Sequence, residues 1–247
     1  MTLGGRVALV TGGGIRLGRA IVQGLAAEGG TLAVHHHGSG EAARALVAEL
    51  RRSGHRAEAF GADLTDDAQL DALVPEVERV LGPVSVLVNS AAQFTRAPFL
   101  ETDAAMLDRE WRLNARAPFL LTRAVARGMM ERCEGVVVNV LDVGGAFVPW
   151  RSYSAYCMTK SALHMLTQVL ALELAPHVRV NGVAPGTVIP PESLGPEERE
   201  QLRARIPLQR FGEPEDVART VRFLVTGPDF ITGQVIAVDG GRLQGSR

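Results

Sequence analysis

The sequence predicts a single-domain, doubly wound α/β fold over residues 1–247, a parallel sheet sandwiched between two helical layers. Three observations predict it. Apolar runs of strand length recur along the chain, helix-period segments alternate with them, and a glycine-rich turn joins the first run to the first helical segment. Strands buried on both faces read as continuous Val/Ile/Leu runs, as a parallel sheet covered on both sides requires.

The elements follow in order. RVALVT near 6–11 is the first expected strand, and RLGRAIVQGLAAEG the first expected helix. TLAVHH near 31–36 is the second strand, followed by the helical segments EAARALVAELRRSG and DAQLDALVPEVERVLG. SVLVN near 85–89 comes next, and two long helices, roughly 104–131 and 153–175, flank the strand GVVVNVL near 135–141. VRVNGV near 178–183 and QVIAVD near 234–239 complete the set. PGTVIPPESLGPEERE, residues 185–200, breaks the periodicity with prolines and glycines just after a strand. Ligands bind at the carboxyl ends of strands in such sheets, so a loop of about 185–212 is expected to cover the substrate.

Composition excludes several classes of function. Net charge is -1 and the basic residues are scattered, without the basic stripe that nucleic acid requires. No segment approaches 18 uninterrupted apolar residues and no signal peptide is evident, so a soluble, cytoplasmic protein with no membrane partner is expected. Cys133 and Cys157 show no CxxC spacing, which argues against a disulfide framework and a thiolate metal site. His35, His36 and His37 alternate faces along a strand and cannot converge on one ion, so no metal is expected. Some residue types are nearly absent: Lys160 is the only lysine, Tyr153 and Tyr156 the only tyrosines, and Asn89, Asn114, Asn139 and Asn181 the only asparagines. Where a residue type is so scarce, the survivors are candidates for positions that chemistry does not let the chain replace.

TGGGIRLGRA places glycines at 12, 13, 14 and 18 between the first strand and the first helix. Glycines there let backbone N–H groups approach a pyrophosphate, and the helix N-terminus adds its positive end. At the end of the second strand, where an acid would select a ribose 2′-hydroxyl, the chain has His37, Gly38 and Ser39, with Arg16 able to face them. The cofactor expected is NADP(H). Tyr156 and Lys160 stand four residues apart at the start of a helix and share a face, so the ammonium is expected to lower the phenol pKa for acid/base work.

With these motifs in view the chain resembles the short-chain dehydrogenase/reductase family along essentially its whole length. TGGGIRLG, ADL at 62–64, NSAA at 89–92, YCMTK, RVNGVAPG at 179–186 and ITGQVIAVDGG at 231–241 carry the likeness. The resemblance implies a Rossmann-type three-layer sandwich and a homotetramer. It implies cofactor contacts from Gly12, Gly14, Ile15, Arg16, Leu17, Gly18, His37, Ser39, Asp63, Leu64, Asn89, Ala91, Tyr156, Lys160, Pro185, Gly186 and Val188. Catalysis would fall to Tyr156, Lys160, Asn114, which would hold a proton-relay water, and Asp142, which stands where the family usually carries a serine.

That aspartate, with Arg16, the His-rich second strand, Asn89 to Phe94 as NxxxxF, and Tyr153, Tyr156 and Lys160 as YxxYxxxK, resembles the pteridine reductase branch. Ala92 and Gly38 stand where that branch has serine and arginine. An ionised carboxylate only accepts hydrogen bonds, which suits a ring bearing N–H groups, whereas a protonated one donates. Asp142 could also simply cap the Gly144–Gly145 turn. Arg16, Phe94, Asp142 and Tyr153 are the candidate substrate contacts, with Trp150 either a ring-facing group or rim packing. The expected function is NADPH-dependent reduction of a C=N bond in a heteroaromatic, pterin-like substrate. The alternatives are a carbonyl reductase for a 3-oxoacyl or sugar substrate, and an NADP(H)-binding sensor with little catalysis.

Overall fold

All four residues of β1 (Val7–Val10) are buried, because helices cover both faces of the strand. The computed structural model describes residues 3–190 and 195–245. β1 leads through the glycine turn into α1 (Arg16–Ala26), then β2 (Thr31–His36), α2 (Gly40–Arg52), β3 (Ala57–Gly61), α3 (Asp67–Leu81) and β4 (Val84–Asn89). After β4 come α4 (Ala104–Trp111), α5 (Ala117–Glu131), β5 (Gly135–Val140), a four-residue turn α6 (Val143–Ala146) and α7 (Ser154–Glu173). β6 (Val178–Pro185), α8 (Pro196–Ala204), α9 (Pro214–Thr226), β7 (Val235–Val238) and α10 (Arg242–Gly245) close the chain.

The seven strands are parallel, in the order β3-β2-β1-β4-β5-β6-β7. Alternate side chains feed two cores. Ala8, Val10, Val34 and Val88 pack with Ile21 and Leu25 of α1, Leu46 of α2 and Val221 of α9. Leu9, Ala33, Leu87 and Val137 face the opposite layer, with Val77 of α3 and Leu121, Val125 and Met129 of α5. Among the described residues no helix is long and apolar enough to cross a membrane.

Six of the strands coincide with the expected apolar runs. β3 does not, because AEAFG pairs only with β2 at the sheet edge and buries only Ala57 and Phe60 of its five residues. The expected long helix at 104–131 is interrupted: α4 and α5 are joined by one wide turn of π-helix, Arg112–Arg116, which contains Asn114. The irregular stretch 185–200 runs into α8, whose sequence PEEREQLRA buries nothing and therefore lacks the apolar stripe that reveals a helix. Pro191 to Leu194 of the expected substrate loop lie outside the described residues.

β1 pairs with β2 on one side and β4 on the other, so chain order reverses about β1. A crevice at the strand carboxyl ends follows from that reversal, and both candidate sites open there.

Candidate active site

The glycine turn is held by a buried histidine. Gly12 donates its N–H to Nδ1 of His35 at 3.1 Å, so the Nε2–H of that ring faces the Ala62 carbonyl oxygen at 3.0 Å. Burial pushes the His35 pKa down to about 4, which keeps the ring neutral and able to accept. Gly12 has φ +63°, and a Cβ on Gly18 would stand 2.0 Å from the Gly12 oxygen, so the turn tolerates no side chain there. Arg16 has φ +50° without being glycine, a strained value for a residue with a side chain. Thr11 Oγ1 accepts from the N–H groups of Ser90 and Ala91 and ties the segment after β4 to the end of β1.

Beside this turn lies a groove of about 490 Å³. Of the predicted cofactor residues, Gly12, Ile15, Arg16, Leu17, Gly18, His37, Ser39, Asp63, Leu64 and Ala91 line it. Thr65, Gln93 and Arg109 line it too, with no motif in the sequence to mark them. Asp63 accepts from the Thr65 N–H and hydroxyl, which hold its carboxyl below the usual range. His37 is exposed and Ser39 half-buried just after β2, where the chain itself carries no acid and the nearest carboxylate, Asp63, lies 3.9 Å from His37. A Cβ at Gly12 would reach to 3.1 Å from Ala91 Cα, so the floor of the groove is bare backbone, as close approach of a dinucleotide requires.

Other predicted residues lie elsewhere. Gly14 packs against Ala43 of α2, where an added Cβ would meet the alanine methyl at 3.0 Å. Gly186 donates to the Val238 oxygen and abuts Asp239, while Val188 packs on the core with Pro185 at the end of β6 behind it. The Asn89 side chain is buried and faces the interior. It donates to Asn139 Oδ1 at 2.9 Å, and Asn139 donates in turn to Thr167 Oγ1 at 2.9 Å. Asn181 donates to the Ile231 oxygen and accepts from Gln234. The scarce asparagines thus pin buried backbone and one another. Asn114 does the same: it accepts from the Gln93 N–H at 2.8 Å and donates to the Gln93 oxygen and to Thr159 Oγ1. Its side chain thus fixes the Gln93 backbone beside Thr159 of α7.

The reactive constellation forms where β5 ends against the first turn of α7. Tyr156 and Lys160 are 4% and 2% exposed. The Tyr156 hydroxyl donates to Asp142 Oδ2 at 3.0 Å, and the Gly144 N–H donates to Asp142 Oδ1 at 2.8 Å, so the aspartate both caps its turn and meets the phenol. Lys160 Nζ donates to the Val140 oxygen at 2.9 Å and lies 5.6 Å from the Tyr156 ring centre. Burial pushes the Asp142 carboxyl up to about 6, against the opposing pull of the Gly144 N–H, Lys160, Tyr156 and Arg242. Burial, with the neighbouring carboxylate second, holds the Tyr156 phenol well above its ordinary value. This reverses the expectation of a phenol lowered by Lys160: desolvation and a facing acid outweigh a cation that is itself lowered to about 8 by burial.

The mouth of the site is aromatic. Phe94 stacks on Tyr153 with ring centres 4.4 Å apart and 7° between planes, and makes a T-shaped contact with Tyr156 at 4.7 Å between centres. Tyr153 therefore covers one face of Phe94. Trp150 packs on the backbone of Gly144 and carries the Arg242 guanidinium 5.4 Å from its ring centre. Arg242 also donates to Thr187 Oγ1 at 2.6 Å, tying α10 to the segment after β6. Nothing in the sequence marked Arg242, because the contact spans 55 residues. An acid able to donate when protonated, a phenol bonded to it and a buried ammonium behind form a proton-transfer device.

Known proteins resemble the chain in both sequence and fold. The family model described as Enoyl-(Acyl carrier protein) reductase matches residues 14–242. The chain is 37% identical to 2-(S)-hydroxypropyl-CoM dehydrogenase 3 of Xanthobacter autotrophicus, covering 95% of each protein. It is 36% identical to the 3-oxoacyl-(acyl-carrier-protein) reductase FabG of Staphylococcus aureus, covering 95% of this chain and 96% of that one. A crystal structure of a gluconate 5-dehydrogenase from Burkholderia cenocepacia in complex with NADP and tartrate superposes with a TM-score of 0.92 at 30% identity, covering 98% of this chain and 97% of that one. Matches of this length on both sequence and structure establish that the chain belongs to the short-chain dehydrogenase/reductase family of oxidoreductases.

Proposed function

We propose that the protein is an NADP(H)-dependent oxidoreductase that interconverts a small carbonyl compound and its alcohol. The observation that carries this reading is the Tyr156–Asp142 hydrogen bond with Lys160 buried behind it. The groove supports the cofactor, with bare glycine backbone at its floor and His37, Ser39 and Arg16 in place of an acid at the end of β2. When bound there, NADPH supplies the reducing equivalent. Tyr156 donates a proton to the oxygen on which charge develops. Lys160 keeps a positive charge close to that oxygen, which favours the charged form. Asp142, once protonated below about pH 6, donates a hydrogen bond to the same carbonyl oxygen as a serine would. Phe94, Tyr153 and Trp150 give an apolar wall that excludes water and orients the substrate.

The named relatives act, by their names, on hydroxypropyl, 3-oxoacyl and gluconate compounds, and this favours a carbonyl substrate over the expected pterin ring. One observation favours the pterin-like reading: above pH 6 the Asp142 carboxylate is an acceptor suited to ring N–H groups. The homotetramer remains part of the proposal, supported by exposed apolar residues such as Phe119 on α5 and Met165 and Leu172 on α7.

The decisive measurement is steady-state NADPH oxidation with an acetoacetyl thioester and short hydroxy-ketone sugars beside dihydrobiopterin and dihydrofolate. Turnover of the carbonyl compounds is expected. Turnover of the dihydropterins alone would overturn the reading.

A further inference from the structure

The segment from Gln93 to Thr95 is held from one side by a single helical face. Asn114 bonds both the N–H and the carbonyl of Gln93, each at 2.8 Å, and Thr95 donates its N–H to Glu110 Oε1 at 2.7 Å. Glu110 and Asn114 stand four residues apart across the junction of α4 with the π-turn, so their side chains project to the same face. Phe94 lies between the two clamped residues, and its ring is the one that stacks on Tyr153 and makes a T-shaped contact with Tyr156.

Glu110 is 0% exposed, and its Oε2 has no hydrogen-bond partner among the described residues. A carboxylate is a costly occupant of such an interior. An apolar side chain would fill the space at less cost, so the value of the acid at this position lies in what its other oxygen grips. That grip falls on the backbone of the residue next to Phe94.

We propose that Glu110 is a positioning residue for the substrate side of the site: through the Thr95 N–H it fixes the 93–95 strap, so that Phe94 forms a rigid wall facing the Tyr156 hydroxyl and sets which substrates fit beside it. The kinetic arm of the test rests on the carbonyl reading above, whereas the exchange arm does not.

Two variants separate grip from bulk. Glu110→Gln keeps a side-chain oxygen for Thr95, and Glu110→Met fills similar space but accepts nothing. For Glu110→Met, the KM for the carbonyl substrate is expected to rise about tenfold, with kcat changed less than about threefold and NADPH affinity within about twofold. Glu110→Gln should restore KM to within about twofold of the parent protein. Hydrogen exchange followed by NMR should find the Thr95 amide slow in the parent and in Glu110→Gln, and fast in Glu110→Met. A parent-like KM in Glu110→Met overturns the proposal. So does a Thr95 amide that already exchanges as fast as an exposed one in the unmodified protein, a result that decides the matter even if Glu110→Met does not fold. If no carbonyl compound is turned over, the functional reading fails while the exchange result still judges the clamp.

Discussion

The Tyr156 hydroxyl donates to Asp142 Oδ2 at 3.0 Å, so the proton donor of this site rests against a second acid instead of a neutral hydroxyl. The two groups titrate as a pair, and the charge on one sets the readiness of the other to release a proton. Burial pushes Asp142 up to about 6, and burial, with the Asp142 charge second, holds Tyr156 high. Below about pH 6 the pair offers two donors to a substrate oxygen; above it, one donor is engaged by a carboxylate.

Carbonyl reduction should therefore become faster as pH falls through about 6, because that is where Asp142 gains its proton. Asp142→Ser should flatten this limb and match or exceed the parent rate at pH 8. Profiles of kcat/KM between pH 5 and 9 test it. A parent profile that is flat through 6 would remove Asp142 protonation from the mechanism.

The same carboxyl bears on stability. It is harder to ionise folded than unfolded, so its favourable contribution is complete below the ordinary carboxylate range and is lost as pH rises through about 6. Asp142→Asn, which can still accept from the Gly144 N–H, should raise Tm at pH 8 by a few degrees, on the order of a 1 kcal/mol gain, and leave it unchanged near pH 4. Thermal unfolding at the two pH values is the measurement.

Arg16 combines a cost with a use. Its φ of +50° is one that glycine adopts freely, so Arg16→Gly should stabilise the fold by about 1 kcal/mol. The variant should at the same time weaken NADPH about tenfold while leaving NADH unchanged, since the lost charge faces the end of β2. Fluorescence titration with both nucleotides, beside chemical denaturation, reads both effects. Gly18→Ala is the contrasting change: a Cβ 2.0 Å from the Gly12 oxygen should abolish nucleotide binding.

Asn139 accepts from Asn89 and donates to Thr167 in a fully buried chain of hydrogen bonds. Asn139→Ala takes a buried hydrogen bond from each partner, leaving Asn89 only a longer bond to Thr122 and Thr167 its bond to Leu163, and should cost about 2–4 kcal/mol in urea denaturation. Asn114→Ala should cost less stability and more activity, because its partners are Gln93 and Thr159 beside the reactive residues.

The fold was legible in the sequence where burial on both faces wrote continuous apolar runs, as in VALV and VVVNV. β3 escaped because a strand at the sheet edge mixes exposed and buried positions, and α8 because a helix that buries nothing leaves no stripe. The glycine turn, Tyr156, Lys160 and Asp142 were legible because their chemistry is local in sequence. His35 gripping Gly12, Glu110 gripping Thr95 and Arg242 reaching Thr187 were not, since each depends on chain segments brought together only by the tertiary fold. The direction of the Tyr156 shift was misjudged for the same reason: helical spacing places Lys160 near the phenol, but the extent of burial is a property of the whole site.

Asn89 and Asn139 are direct neighbours in the ladder between β4 and β5. The ladder otherwise matches Val86, Leu87 and Val88 with Val136, Val137 and Val138, side chains so alike that sliding one strand along the other would change little in their packing. Any slid alignment, however, sets an amide against an aliphatic side chain in a dry interior and strands its hydrogen bonds. The pair thus works as a key cut for one position of the lock, and the greasiest part of the sheet, which has least reason to choose, is told where to stop by its two polar side chains.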